Sequence, residues 1–504
     1  MAERDIKSTH GTGRRRFIRA AAAGALGAWM TPVWSQLSTA PSSLPAASVE
    51  KLRDRIKGSV IARGTTLYEP WRQSLIWNNR KFARFPELII QAEDEDDVVA
   101  AVRFAREAGL RITTRSGGHS WCGCFLRDDG VLIDLSRLQE VTVDAARREA
   151  RVQPGVIGRA LNAQLAESGL AFPTAHCGMV PISGFLLGGG LGLNSVAWGG
   201  MSVFNIKAID LVTAQGEKLH ASADENADFF WAARGGGPGL FFTVTRFYLQ
   251  CHPLPKNIVS DTYFFPYAEL PALCEVMDEL GPKIDPRLEM LAVAVPAPPD
   301  FADQCGGDSH GRVAVLSAMA FGDSTRDSAK MLEVLARTNF LKGAMHIDRN
   351  RPTPFEVLYQ DNEGPFPQRR ARVDNIYTDR VVDAAKVLSG HIAAAPTAGN
   401  TPVVLWRGTD PYPTNASYTA RGRFYFATYA QWDDPADDVA NAAWLKGLYD
   451  EMQPLASGFY INEFDRELRD PRQCYTAENW QRLQQLRSKH DPDGVYQTFM
   501  GQRT

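Results

Sequence analysis

No apolar stretch of this chain reaches the roughly 20 residues that cross a bilayer. The nearest, Ala20 to Trp29, is weakly hydrophobic and ends near Pro32, so no membrane span is expected. Clustered positive charge is also scarce beyond residue 19, and the formal net charge is -3. The field that would hold a polyanion is missing, and nucleic acid is not an expected partner. The nine histidines are scattered, without H-E-x-x-H or a Cys/His cluster at zinc spacing, which leaves a metal site without support. Cysteine occurs as an odd set of seven, at positions 122, 124, 177, 251, 274, 305 and 474, with no C-x-x-C pair. At least one must stay outside any set of internal disulfides. There is no G-x-G-x-x-G, which disfavours a Rossmann-type dinucleotide site.

What is present is a soluble-globular balance of 44% hydrophobic and 22% charged residues over 504 positions, with 42 glycines that cluster. That length predicts two domains of ordinary size after an N-terminal extension. Residues 1–48 read as an address label and linker. Arg14-Arg15-Arg16-Phe17-Ile18-Arg19 precedes the Ala/Gly stretch and resembles a twin-arginine export signal, although Gly13 stands where Ser or Thr is commoner. The expected destination is periplasmic or secreted. Such export carries proteins already folded, which suits an enzyme loaded with a cofactor beforehand.

The first legible folding unit is a strand-helix-strand over 87–114. Leu88-Ile90 is a short apolar run; Val98, Val99, Val102 and Ala105 follow at helical spacing behind an acidic start, Glu93 to Asp97, that suits a helix N-terminus; Gly109 is a stop. Strand-like runs follow at 131–135, 141–143 and 150–153, then a helix over 156–168 stopped by Gly169, then strands at 206–213 and 240–249. From about 256 Pro-rich joints mark a second α+β domain, and the chain closes with a helix-like run Ala477 to His490.

Two loops carry the chemistry. Arg115-Ser116-Gly117-Gly118-His119-Ser120 follows a strand directly, and its paired glycines let successive N–H groups turn toward one point, a nest for a pyrophosphate. A serine-hydrolase elbow fails here because Cys122 stands where G-x-S-x-G needs glycine. The second loop, Cys177-Gly178-Met179-Val180-Pro181-Ile182-Ser183-Gly184, leads into Leu187-Gly188-Gly189-Gly190-Leu191-Gly192. Each glycine costs chain entropy on folding, so the cluster implies close approach of something flat or charged.

In this order the motifs resemble the FAD-linked oxidases of the vanillyl-alcohol-oxidase (PCMH-type FAD-binding) superfamily, and within it the berberine-bridge-enzyme-like branch. Tyr460-Ile461-Asn462 and the run from Asn479 to Asp491-Pro492 are similar to that branch's C-terminal signature, so the resemblance covers about 70–250 and 425–500. It implies a two-domain α+β fold: an FAD domain over 50–255, a substrate domain over 256–444 whose sheet covers the flavin, and a segment 445–504 completing the FAD domain. It implies FAD joined to His119 at the 8α-methyl carbon and to Cys177, 58 residues later, at C6. Neutral imidazole and thiolate are nucleophiles suited to those carbons. The cofactor set it implies is the loop 115–120 with Cys177, Gly178, Val180, Gly184, Gly188, Gly189, Gly190, Gly192, Ile206 and Asn462.

The implied reaction is hydride transfer from a small organic substrate, an alcohol, sugar, phenol or amine, with a base taking a proton. Oxygen is the expected acceptor. The rivals are a dehydrogenase using a cytochrome or quinone, and a secreted flavoprotein without turnover; Ala175, two places before Cys177, is the side chain that bears on oxygen access. Here the chain departs from the pattern. Glu463 replaces the second tyrosine of Tyr-x-Asn-Tyr, Pro181 replaces a glycine, and Thr428 falls where Gln or Glu often faces the flavin. The catalytic candidates are Tyr460, Glu463 and Tyr429. Tyr359, Phe366, Tyr412 and Tyr418 are read as pocket or core aromatics, and Asp361 and Glu363 as solvated acids. The twin-arginine reading predicts that replacing Arg14 and Arg15 by Lys leaves folded, yellow precursor in the cytoplasm; cell fractionation showing normal export of that variant would refute it.

Overall fold

The computed structural model describes residues 41–304, 311–408, 413 and 415–499; the twin-arginine stretch, Cys305 and Tyr412 lie outside the described residues. The first unit forms as Leu88–Gln91, Glu95–Glu107 and Ile112–Arg115. Its acidic start does more than complement a helix dipole. Asp94 caps the helix by accepting the Asp97 N–H at 3.0 Å. The buried Asp97 carboxylate accepts the backbone N–H groups of Lys57, Gly58 and Glu93 at 2.8, 3.0 and 2.9 Å, pinning the preceding chain to the same turn. Gly109 takes φ 65° just past the helix end, a conformation glycine enters without a Cβ penalty.

These strands enter a four-stranded sheet ordered Ser59–Ala62, Leu88–Gln91, Val131–Asp134, Ile112–Arg115, the first pair antiparallel and the others parallel. A five-stranded antiparallel sheet follows, ordered Val141–Asp144, Glu149–Val152, Thr243–Gln250, Ile206–Val212, Lys218–Ser222. The helix expected over 156–168 is shorter, Gly158–Ala166. Its start is trimmed because Ile157 stays extended and bridges Pro181. The first helical N–H groups, of Gly158 and Arg159, reach the carbonyls of Val180 and Gly178 at 3.0 and 2.9 Å. The helix start therefore holds the loop that follows Cys177.

The largest sheet has seven antiparallel strands, ordered His346–Pro352, Asn257–Pro266, Arg312–Gly322, Leu288–Pro296, Thr401–Trp406, Phe424–Trp432, Arg370–Thr378. Period-2 alternation splits its faces. Met290, Ala292 and Ala294 are fully buried in one core cluster with Leu273, Met277 and Leu388 of the covering helices, while Leu291 and Val293 look into a cavity on the other side. The helix Asp438–Met452 packs on Arg370–Thr378 and Phe424–Trp432. The expected boundary at 444/445 thus cuts a helix that belongs to this sheet through Met452. Beyond it the chain returns to the four-stranded sheet: the helix Ala477–His490 forms as expected, and Ile112 N–H donates to Val495 O at 2.7 Å while Gln497 N–H donates to Ile112 O at 2.9 Å.

Candidate active site

A cavity of about 480 Å³ runs from the edge of the four-stranded sheet to the underside of the seven-stranded one. At one end its wall is the loop 115–120, together with Tyr496, Gln497 and Thr498 from the returning C-terminus. That loop is fixed from behind. The Arg115 guanidinium pairs with the fully buried Asp134 at 2.7 Å and donates to Leu75 O at 3.2 Å. Gly118 has φ 71°, and a Cβ there would lie 1.9 Å from Leu75 O. Gly117 answers to Pro181, whose Cγ would lie 2.1 Å from a Cβ at 117; the proline departure is thus accommodated by a glycine of the other loop. His119 stacks on Trp77, with ring centroids 5.3 Å apart at 22°. Burial, then the Arg115 cation, pushes its pKa down to about 4, so at neutral pH it is the uncharged, nucleophilic imidazole.

Cys177 lines the same cavity as His119. Its Sγ lies 3.6 Å from the Glu363 carboxylate, to which it donates, and Glu363 pairs with Arg159 at 2.9 Å. Burial, reinforced by that carboxylate, pushes the thiol up to about 11. Glu363 was read as a solvated acid; instead it is the acceptor for the thiol proton.

Arg115 to Ser120, Cys177, Val180, Gly184 and Asn462 all line the cavity, whereas Gly178, Gly188, Gly189, Gly190, Gly192 and Ile206 do not. The reason is packing. A Cβ on Gly188 would lie 2.1 Å from Asn462 Oδ1, one on Gly189 2.7 Å from Tyr418, one on Gly190 2.8 Å from Ser202, and one on Gly192 2.3 Å from Pro173 O. Gly178 lies under the Tyr359 ring, 2.8 Å from a Cβ. What approaches these glycines is the protein itself. Gly184 is different: no protein atom lies within 4 Å of its Cβ position, leaving that side of the cavity open to a ligand. A second glycine run, Gly235-Gly236-Gly237-Pro238-Gly239, contributes Gly237 and Pro238 to the wall; its composition was a signal as strong as that of 188–192 and passed unread.

At the other end the three catalytic candidates meet. Tyr429, Tyr460 and Glu463 all line the cavity, joined by Tyr425, which sequence reasoning missed. The Tyr425 phenol donates to Glu463, and Tyr429 hydrogen-bonds the same carboxylate. Burial raises Glu463 above the ordinary carboxylate range against the lowering effect of those two donors. Tyr460 is placed differently: its oxygen accepts from Asn462 Nδ2 at 3.0 Å and from Leu191 N–H at 3.3 Å. With both lone-pair directions filled and burial raising its pKa, Tyr460 keeps its proton and has an O–H left to donate. Thr428 does not face the cavity. It lies on the opposite side of its strand, where the Tyr449 hydroxyl donates to it at 3.2 Å, and the cavity face carries Tyr425 and Tyr429 instead. Phe366 lines the cavity. Tyr359 is held in the core by Thr174 and Asn162 at 2.7 and 2.8 Å, and Tyr418 donates to Tyr377 at 3.1 Å.

The cavity suits a long ligand with a polar and a flat end. Arg466 Nε and Gln497 Oε1 are buried on its wall without a protein partner, and buried polar atoms of this kind call for a ligand or water. Residues 86–222 match the FAD binding domain family. The chain is 28% identical to the FAD-linked oxidoreductase nodO of Hypoxylon pulicicidum over 83% of its length and 91% of that protein's. It is 35% identical to the (R)-6-hydroxynicotine oxidase of Paenarthrobacter nicotinovorans over 43% and 45% of the two chains. Its fold superposes on that of Physcomitrella patens BBE-like 1 with a TM-score of 0.76 at 20% identity, covering 90% of this chain and 100% of the other. The fold is that of the PCMH-type FAD-binding oxidases, and the curated relative matched along most of its length is an FAD-linked oxidoreductase. Within that fold, berberine-bridge-enzyme-like proteins are among the structural neighbours of this chain.

The two kinds of glycine separate in a direct test. Gly118→Ala adds about 1–3 kcal/mol of backbone strain on top of the clash with Leu75 O and is expected to yield protein with little bound flavin, read from the ratio of visible to 280 nm absorbance. Gly184→Ala should fold with an unchanged melting temperature. Full flavin content in Gly118→Ala would show that the loop is not the cofactor's cradle.

Proposed function

We propose that this chain is an FAD-dependent oxidase that holds its flavin covalently through His119 and Cys177 and oxidises a CH–OH or CH–NH group, with oxygen as acceptor. The observation that carries the reading is one cavity walled by a neutral imidazole, a thiol paired with a carboxylate, and a carboxylate held by two phenols. Bound there, FAD supplies a two-electron acceptor for hydride. The chain's own contribution is positioning and proton control. Glu463 is the base: it faces the cavity, its pKa is raised toward working pH, and Tyr425 and Tyr429 fix its orientation. Tyr460 donates its free O–H to an oxygen or nitrogen of the bound molecules. Leu291, Val293, Val403 and Leu405 form an apolar roof over this end, which favours a substrate presenting a hydrophobic ring or chain beside its reacting group.

The pH dependence follows from the sign of the Glu463 shift. The base works ionised, so kcat/KM should fall as pH drops through its folded pKa, and that acid limb should lie above the usual glutamate range. Glu463→Gln is expected to remove the limb and lower kcat roughly 10²–10⁴-fold, the span typical of a lost general base, with oxygen consumption and flavin bleaching followed in parallel. An unchanged acid limb in Glu463→Gln would transfer the role to another group.

Covalent attachment is tested without turnover. After acid precipitation the yellow colour should remain with the polypeptide, and proteolysis should give one flavin joining a peptide with His119 to one with Cys177. His119→Ala and Cys177→Ala should each keep one bond, and the double variant should release its flavin. Free flavin from the wild-type protein would reduce the reading to a non-covalent site; a Cys177→Ala variant indistinguishable from wild type would leave His119 as the only link.

A further inference from the structure

The loop after His119 carries two cysteines that neither cofactor attachment nor proton transfer uses. Cys122 and Cys124 flank Gly123, which has φ 54° and whose Cβ would lie 2.5 Å from the Phe82 ring. That turn brings both sulfurs onto one hydroxyl: Ser120 Oγ lies 3.3 Å from Cys124 Sγ, to which it donates, and 3.7 Å from Cys122 Sγ. The two thiols also hydrogen-bond each other. Arg466 donates from Nη2 to Cys122 Sγ at 3.3 Å and to Ser120 Oγ at 3.3 Å, and Arg127 donates from Nε to the Cys124 carbonyl at 3.1 Å. Cys124 and Arg466 lie on the cavity wall; Cys122 is buried behind them.

We propose that Cys122 and Cys124 form a peroxide-reactive dithiol, with Cys124 the attacking thiol on the cavity wall and Cys122 the resolving thiol behind it. A thiol reacts as its thiolate, and thiolates are favoured by cations and hydrogen-bond donors. The pair has both, the Arg466 guanidinium on Cys122 Sγ and the Ser120 hydroxyl on Cys124 Sγ; Cys124 is the one on the cavity wall, and its pKa is held well below the ordinary thiol range, first by the Cys122 hydrogen bond and then, against burial, by Arg466 and Ser120. Cys122 keeps the shared proton. In the remaining described cysteines burial outweighs any nearby cation. Burial pushes Cys251 and Cys274 up to about 12 and Cys474 well above its ordinary value.

The chemistry balances with hydrogen peroxide as the oxidant. The Cys124 thiolate attacks one peroxide oxygen, the O–O bond breaks, and the departing hydroxide takes a proton to leave as water, giving a sulfenic acid. Cys122 sulfur then attacks the sulfenic sulfur; the S–S bond forms, and the hydroxyl leaves with the Cys122 proton as a second water. The two thiols lose two electrons and the peroxide gains them. An oxidase working with oxygen releases peroxide into this same cavity, so the natural source of the oxidant rests on the function proposed above; the reactivity of the dithiol does not.

The test uses the resting holoprotein with added hydrogen peroxide and no substrate, quenched in denaturing acid, alkylated and digested with trypsin. The peptide Ser116–Arg127 holds both cysteines and His119. Wild type should give this peptide, carrying the flavin and the Cys177 peptide where the attachment proposed above holds, with two hydrogens lost and neither Cys122 nor Cys124 alkylated, at least about tenfold faster than Cys251, Cys274 or Cys474 is modified, given the thiolate dependence of the rate. Cys122→Ser should stop at a Cys124 sulfenic acid trapped by dimedone. The proposal is overturned if both thiols stay alkylatable in wild type, if Cys124 goes directly to sulfinic acid while Cys122 is present, or if Cys124 is found carrying the flavin. A dithiol that oxidises with added peroxide but not during aerobic turnover of a flavin-reducing substrate would refute oxygen as acceptor and leave the dithiol standing.

Discussion

The end of the cavity that holds Tyr460 and Glu463 depends on one clamp, between the edge strand Arg370–Thr378 and the segment 457–469. Arg372 pairs with Asp465 at 2.7 Å and Arg469 with Asp374 at 2.8 Å, with all four side chains largely buried. Between these pairs the backbone is stitched: Asn375 donates from Nδ2 to Tyr460 O at 3.0 Å and accepts the Tyr460 N–H at 2.7 Å, and Tyr377 N–H reaches Gly458 O at 2.7 Å. Buried ion pairs are weak evidence for net stability, because desolvation offsets their attraction, but removing one partner costs about 3–5 kcal/mol. Their effect here is register. A segment without regular strand structure is held so that Tyr460, Asn462, Glu463 and Arg466 all face one cavity.

How far this was legible in the sequence follows from the range of the interactions involved. The unit 88–115 was readable because its signals are local: an acidic cap, helical periodicity, a glycine stop. The helix Ala477–His490 was readable for the same reason. The loops bearing His119 and Cys177 were legible from composition, through glycines that a plain turn would not need. Which glycine does what was not legible, since Gly189 and Gly184 look alike in sequence, yet Gly189 takes φ 125° against Tyr418 while Gly184 sits in a helix facing open space. The strand Phe424–Trp432 shows the same limit more sharply. A shift of one residue exchanges the faces of a strand, and Thr428 was assigned to the face that Tyr425 and Tyr429 occupy.

Departures from the family pattern resolve into compensations across distant parts of the chain. Pro181 fits because Gly117 leaves it room. Glu463, standing where the pattern has tyrosine, is acceptable beside buried phenols because Tyr425 and Tyr429 both hydrogen-bond it; a carboxylate left there without donors would carry an uncompensated desolvation cost. Each substitution is unreadable alone. Its partner lies 64 residues away in the first case, and 34 and 38 in the second.

Burial unites the chemistry of the cavity. Exclusion of water disfavours whichever form of a group is charged, so the same cause keeps His119 neutral, holds the Cys177 proton on sulfur, and raises Glu463. The consequences differ because the groups differ. Neutral imidazole is the nucleophilic state, so burial suits His119 to the proposed bond; the protonated thiol is not, so the proposed link at Cys177 needs an acceptor for its proton, and Glu363 stands 3.6 Å from it. A carboxylate with a raised pKa is a stronger base than a solvated one, so burial suits Glu463 to the proposed proton abstraction, while Tyr425 and Tyr429 oppose the shift. Cys124 is the exception, and it is the only one of these groups with a guanidinium, a hydroxyl and a second thiol gathered around it. A single buried cavity thus sets four side chains toward four different proposed reactivities, by what polar atom each one finds beside it.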